Sequence, residues 1–145
     1  MIDSSSLRFV CLGSGSSGNA YCVCRDDSVL LIDCGFSFRE LVKRCNASSI
    51  DPRQIKAALF THNHGDHIKG VAKLHKTLSQ VELFASPSVA EAISAESGIP
   101  EEEFVCFEYG QDFEIGDFGV RAFHVPHDTP DCSGYLISAG EWRYF

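Results

Sequence analysis

No stretch of this chain is long and apolar enough to cross a membrane as a helix, which takes roughly 20 consecutive apolar residues. No secretory leader is expected from its start: residues 1–6 are polar, and the apolar piece after them is short and lacks a charged head. A cytoplasmic protein with no membrane partner is expected. Positive charge is scarce, with 12 Lys and Arg against 20 Asp and Glu, a net charge of -8 and a pI near 5.1. That balance argues against a DNA-binding protein built on a basic face. Cys-x-x-Cys is absent, and the seven cysteines are odd in number, so a disulfide framework is not expected in a reducing compartment. Cys22 and Cys24 share one face of a strand and read as small buried apolar residues rather than a metal pair. Internal repeats, low-complexity tracts and linkers are also missing. The 145 residues therefore form one domain, or part of one.

What is present alternates between strands and helices. Residues 7–12, 20–24 and 29–33 read as strands, the third apolar throughout and so buried on both faces. Residues 37–46 read as a helix capped by Ser37, with Glu40 at the capping-box spacing. Asp51-Pro52 opens a helical turn, and residues 57–60 form a short buried strand. One helix is predicted over 67–78, with Ile68, Val71, Leu74 and Leu78 toward the core and Lys69, Lys73 and Lys76 on a solvated edge. A strand at 81–84 and a helix from Ser86-Pro87 to about Ser97 follow. Strands at 104–107, 112–115, 118–125 and 134–138 close the chain. The order predicts an α/β layered fold with a mixed sheet.

Two motifs compete for the chemistry. Gly13-Ser14-Gly15-Ser16-Ser17-Gly18 matches Gly-x-Gly-x-x-Gly, with Asp33 at the spacing of a ribose-binding acid. A dinucleotide site needs a helix to start inside that loop. Here the loop runs into hairpin sequence, so a tight or site-lining turn is the better account. The second motif is His62-Asn63-His64-Gly65-Asp66-His67. Three of the six histidines lie in it, with an aspartate, and His124 and His127 lie together downstream. One histidine alone would be a satisfied core residue, but four potential ligands at this spacing point to a metal. In extended chain His62 and His64 point the same way, and Gly65 allows a bend that turns Asp66 and His67 toward a second ion.

These residues resemble the metallo-β-lactamase superfamily, whose signature is His-x-His-x-Asp-His after a short strand. The resemblance runs through nearly the whole chain in order. It implies the N-terminal portion of an αββα sandwich with mixed sheets, occupying residues 1–145. It implies His62, His64 and His127 on one metal and Asp66 and His67 on another. His127 is preferred to His124 because Pro126-His127-Asp128 and the following Gly134-Tyr135 fit the family. Asp33 then supports the site from behind. The loop Gly15-Ser16-Ser17-Gly18-Asn19 resembles the bacterial branch of phosphodiesterases and single-stranded DNA exonucleases. Thioesterase- and lactonase-like members more often carry His-Thr-x-Gly where this chain has His127-Asp128-Thr129-Pro130. The family's bridging aspartate and last histidine would come after Phe145, so the chain is expected to be C-terminally truncated, with an incomplete second metal site and an apolar face that favours self-association.

The implied chemistry is hydrolysis, first of a phosphodiester, by water activated on two divalent ions. Bound cations would also offset the chain's negative charge toward a phosphate substrate. Zinc leads as the metal, ahead of manganese and iron. Asp66 would be both ligand and catalytic residue, with Asp33, Ser16, Asn19 and Asp128 behind the site or against substrate. The alternatives are a thioester or lactone hydrolase of the same fold, and a non-catalytic metal- or nucleotide-binding protein.

Overall fold

The apolar run Val29-Leu30-Leu31-Ile32 divides the molecule into two cores. In the computed structural model, which describes residues 7–125, 132–139 and, by backbone alone, 142–144, the run belongs to strand β3 (Ser28–Ile32). All four side chains are buried. Because successive side chains alternate faces, Val29 and Leu31 meet one core and Leu30 and Ile32 the other. Each such side chain contributes about 1.5–3 kcal/mol when fully buried.

β3 also marks a change of direction in a six-stranded sheet. Its order is β1 (Arg8–Gly13), β2 (Ala20–Arg25), β3, β4 (Ile55–Leu59), β5 (Glu82–Ala85) and β6 (Phe104–Cys106). The first three strands pair antiparallel and the rest parallel. The connections dictate this. Only a loop and a turn separate β1, β2 and β3, whereas a helical crossover separates each parallel pair. Helix α1 (Phe38–Ala47) joins β3 to β4, helices α2 (Gly65–Ile68) and α3 (Val71–Thr77) join β4 to β5, and α4 (Pro87–Ser97) joins β5 to β6. A second sheet holds β7 (Asp112–Ile115), β8 (Phe118–His124), β9 (Ser133–Ser138) and β10 (Trp142–Tyr144), antiparallel in the order β10-β9-β8-β7.

All four helices cover one face of the larger sheet. Leu41 and Cys45 of α1, Ile68 of α2, Leu74 of α3 and Ile93 of α4 pack there with Val29 and Leu31. The other face meets the second sheet through Phe118, Val120, Ala122, Tyr135 and Ile137. Among the described residues the layers are therefore helix, mixed sheet, sheet. Local signals place the helix ends. Ser37 Oγ accepts from the Glu40 N–H at 3.2 Å, Ser86 caps α4 ahead of Pro87, and α4 stops at Gly98 with φ 81°.

The single helix predicted over 67–78 is broken in two. The His67 carbonyl accepts from the Cys34 N–H at 2.7 Å, and the Gly70 N–H donates to the Cys34 carbonyl at 3.0 Å. Both groups thus serve the loop after β3 instead of a continuous helix. A Cβ at position 70 would lie 2.2 Å from the Phe36 carbonyl oxygen, so glycine is required for that approach. Gly65 differs from its expected role. It is not among the positive-φ glycines and opens α2, so the bend there does not use glycine's extra range.

Substitution tests this contrast. Gly70→Ala should cost about 1–3 kcal/mol of stability through overpacking. Gly65→Ala, whose Cβ would meet nothing within 4 Å, should leave stability unchanged or raise it by about 0.4–1 kcal/mol. Denaturant unfolding of both variants checks the pair, and equal losses would contradict the close approach at Gly70.

Candidate metal centre

The histidine motif begins where β4 ends, and Asp33 stands where the neighbouring parallel strand β3 ends. Carboxyl ends of parallel strands are where such sheets place their ligands. Asp33 is 1% exposed and adopts φ 63°, a left-handed conformation uncommon outside glycine. Its N–H donates to the Leu59 carbonyl at 2.9 Å, which holds it in that turn. The turn delivers its carboxylate to the motif. Oδ1 accepts from the Thr61 N–H at 2.8 Å. Oδ2 accepts from the Thr61 hydroxyl at 2.7 Å and lies 2.6 Å from His67 Nδ1.

His62 is buried and sits between the other two rings. Its centroid is 4.7 Å from that of His64 and 3.8 Å from that of His67. The spacing argument paired His62 with His64 and Asp66 with His67; the structure adds a closer approach between His62 and His67. The cause is α2, whose single turn returns His67 beneath the strand end. Ligating atoms of Asp33, His62 and His67 all lie within 4.8 Å of one another. Asp33 is nonetheless better suited to backing than to ligation, because both its oxygens already accept hydrogen bonds. With Nδ1 of His67 on Asp33, Nε2 is the nitrogen that would ligate, and it lies 3.7 Å from Asp66 Oδ2. Two ligands on one zinc at about 2.1 Å each are roughly 3.4 Å apart in tetrahedral geometry. The spacing of this one pair of donor atoms is therefore close to that of two ligands on one divalent cation.

Asn19 is the residue of the glycine loop that reaches the motif. Its Nδ2 donates to Asp66 Oδ2 at 3.0 Å and approaches the Asp66 carbonyl at 3.2 Å. Its backbone N–H donates to the same carbonyl at 2.7 Å. The amide is oriented in turn by Gly15, whose N–H donates to Asn19 Oδ1 at 3.0 Å and whose carbonyl accepts from Nδ2 at 2.8 Å. Gly35 makes the contact sterically feasible, since a Cβ there would fall 1.8 Å from the Asp66 carbonyl oxygen. Ser16 stays exposed on the loop. The loop passes straight into β2 with no helix, so the geometry that a dinucleotide pyrophosphate needs is missing.

His127 and Asp128 lie outside the described residues. The residues at the foot of that segment are described. The Val125 N–H donates to the Cys132 carbonyl at 2.8 Å, and the Ser133 N–H donates to the Thr61 carbonyl at 2.8 Å. Val125 and Cys132 line a cavity of about 600 Å³ together with Asp33, Thr61 and His67. His124 ends β8 with its ring 6.0 Å from that of Tyr109, outside the Asp33, His62 and His67 group.

Burial depresses the His67 pKa, but the Asp33 hydrogen bond and the charges of Asp33 and Asp66 outweigh it, leaving a net rise above 6.5. The thiols of Cys22 and Cys34 are held in their protonated form. Cys22 is held protonated by its hydrogen bond with Cys45 and by burial, and burial pushes Cys34 up to about 12. Thr61 is the residue that motif reasoning passed over. The signal available was its position, a hydroxyl directly before the first histidine of the motif.

Comparison with known proteins agrees with this geometry. A family model described as a beta-lactamase superfamily domain matches residues 29–145. An exodeoxyribonuclease YycJ of Bacillus anthracis is 31% identical over 132 residues, covering 90% of this chain and 50% of that protein. An exodeoxyribonuclease WalJ of Streptococcus pneumoniae is 29% identical over 126 residues, covering 85% and 46%. The chain thus spans about half the length of these relatives. Among solved structures, the Rm3 metallo-β-lactamase superposes with a TM-score of 0.73 at 21% identity, over 89% of this chain and 53% of that one. With the mixed sheet, the strand-end histidines and the family match over most of its length, this chain belongs to the metallo-β-lactamase superfamily.

Proposed function

We propose that this chain carries the metal-holding part of a metal-dependent nuclease that hydrolyses phosphodiester bonds at DNA ends. The observation that carries this is the contact between Asn19 and Asp66. The Gly-Ser-Ser-Gly-Asn loop is what sets the nuclease-like branch apart in sequence, and here it touches a candidate metal ligand directly. The names of the two relatives above favour DNA as the polymer. A reducing intracellular compartment suits a chain whose seven cysteines are free thiols.

In this proposal His62, His64 and His127 hold one divalent ion, zinc ahead of manganese and iron, and Asp66 and His67 hold a second. Val125 and Cys132, which line the cavity of Asp33, Thr61 and His67, support His127 as the third histidine. Bound there, the ions supply Lewis acidity, an acidified water and positive charge against the phosphate. The chain's own residues orient and hold. Asp33 fixes the His67 ring, Asn19 fixes Asp66, and the partly exposed Asp66 carboxylate can accept a hydrogen bond from an incoming water. Net charge of -8 makes approach of a polyanion depend on the cations.

Cleavage of a 5'-phosphorylated single strand by the full-length protein, with metal content measured alongside, tests the proposal. Asp66→Ala should lower cleavage on the order of 100-fold or more while costing only about 1 kcal/mol of stability from the lost Asn19 hydrogen bond. Undiminished cleavage after metal removal, or hydrolysis of thioesters or lactones with none of DNA, would overturn it.

Acidity gives a second test with a defined sign. The protonated His67 ring is favoured by Asp33, so in metal-free protein this pair stabilises the fold below the unfolded imidazole value near 6.5 and is lost as pH rises through the higher folded value. Ligation needs neutral Nε2, so metal affinity should fall as pH drops through that same folded value. Unfolding temperature of chelator-treated protein and zinc affinity, each followed from pH about 6 to about 8, should therefore run in opposite directions.

A further inference from the structure

Thr61 occupies the junction between the two histidines that approach each other most closely. Its Oγ1 is 2.7 Å from Asp33 Oδ2 and 2.8 Å from His62 Nδ1. The hydroxyl has one proton to donate and lone pairs to accept with. Of its two neighbours, the carboxylate accepts only, while an imidazole Nδ1 either donates or accepts according to tautomer. A charged acceptor also makes the stronger bond. The hydroxyl therefore donates to Asp33, and its oxygen faces His62 Nδ1 as an acceptor. That arrangement is satisfied only when His62 carries its proton on Nδ1, which assigns metal ligation to Nε2.

We propose that Thr61 is a positioning residue for the metal centre, setting His62 in its metal-ligating tautomer by donating to Asp33 and accepting from His62 Nδ1. A single carboxylate then governs both rings, His67 directly and His62 through one intervening hydroxyl. The backbone of residue 61 has separate duties. Its N–H donates to Asp33 Oδ1, and its carbonyl accepts from Ser133. Replacing the hydroxyl by a methyl of nearly equal volume removes the relay and leaves those two bonds in place.

The proposal rests on the metal-dependent function above, and its test separates the two. In the full-length, metal-free protein, ¹⁵N and ¹³C imidazole shifts are recorded at a pH about two units above the usual histidine value. His62 should be protonated on Nδ1 in wild type and in Thr61→Ser, and should lose that preference in Thr61→Val. Zinc affinity by chelator competition should fall roughly 10- to 100-fold in Thr61→Val and recover in Thr61→Ser. A wild-type His62 protonated on Nε2 overturns the relay, and this measurement needs no variant to fold. Equal zinc affinity and an unchanged tautomer in Thr61→Val also overturn it. Should wild type take up no zinc while His62 follows the residue at 61 as described, the relay stands and the metal-dependent function falls.

Discussion

The carboxylate of Asp33 is the point on which the site depends. It is buried, so leaving it without partners would cost several kcal/mol. The structure satisfies it three times over, with the Thr61 N–H, the Thr61 hydroxyl and His67. Those bonds join the end of β3 to the end of β4 and to the turn that follows. The left-handed backbone at Asp33 is the cost of aiming the group there, a strain of about 1–3 kcal/mol. The hydrogen bond from its N–H to Leu59 and the packed strands around it hold that conformation.

Most of the fold was legible from periodicity. β3 reads as buried on both faces because no polar residue interrupts Val29 to Ile32, and the helices α1 and α4 announce themselves through Ser37 and Ser86-Pro87. The break between α2 and α3 was not legible. Ile68, Val71, Leu74 and Leu78 keep helical spacing across it, and all four reach the core or its edge as that spacing predicts. What interrupts the helix is a pair of hydrogen bonds to Cys34, more than 30 residues upstream. Tertiary partners of this kind leave no mark on local periodicity, except for the glycine at 70.

The site divides in the same way. The grouping of His62, His64, Asp66 and His67 after a strand could be read from the sequence, and the nearness of Asp33 and Asn19 to them from the family pattern. The arrangement among them could not. Alternation along a strand puts His62 and His64 side by side, but only the turn of α2 brings His67 closer still to His62. Thr61 escaped because a threonine before a histidine is unremarkable until its hydroxyl is placed against both Asp33 and His62.

The clamp on Asn19 has a consequence for how the loop can vary. Gly15 holds both ends of its amide, so the side chain cannot reverse, and Asp66 is bonded to its backbone and side chain alike. Loop and acid therefore move as one body. An added or deleted residue between Gly15 and Asn19 would be felt less as a change of turn than as a displaced carboxylate, so the length of this glycine-serine segment is tied to where Asp66 stands.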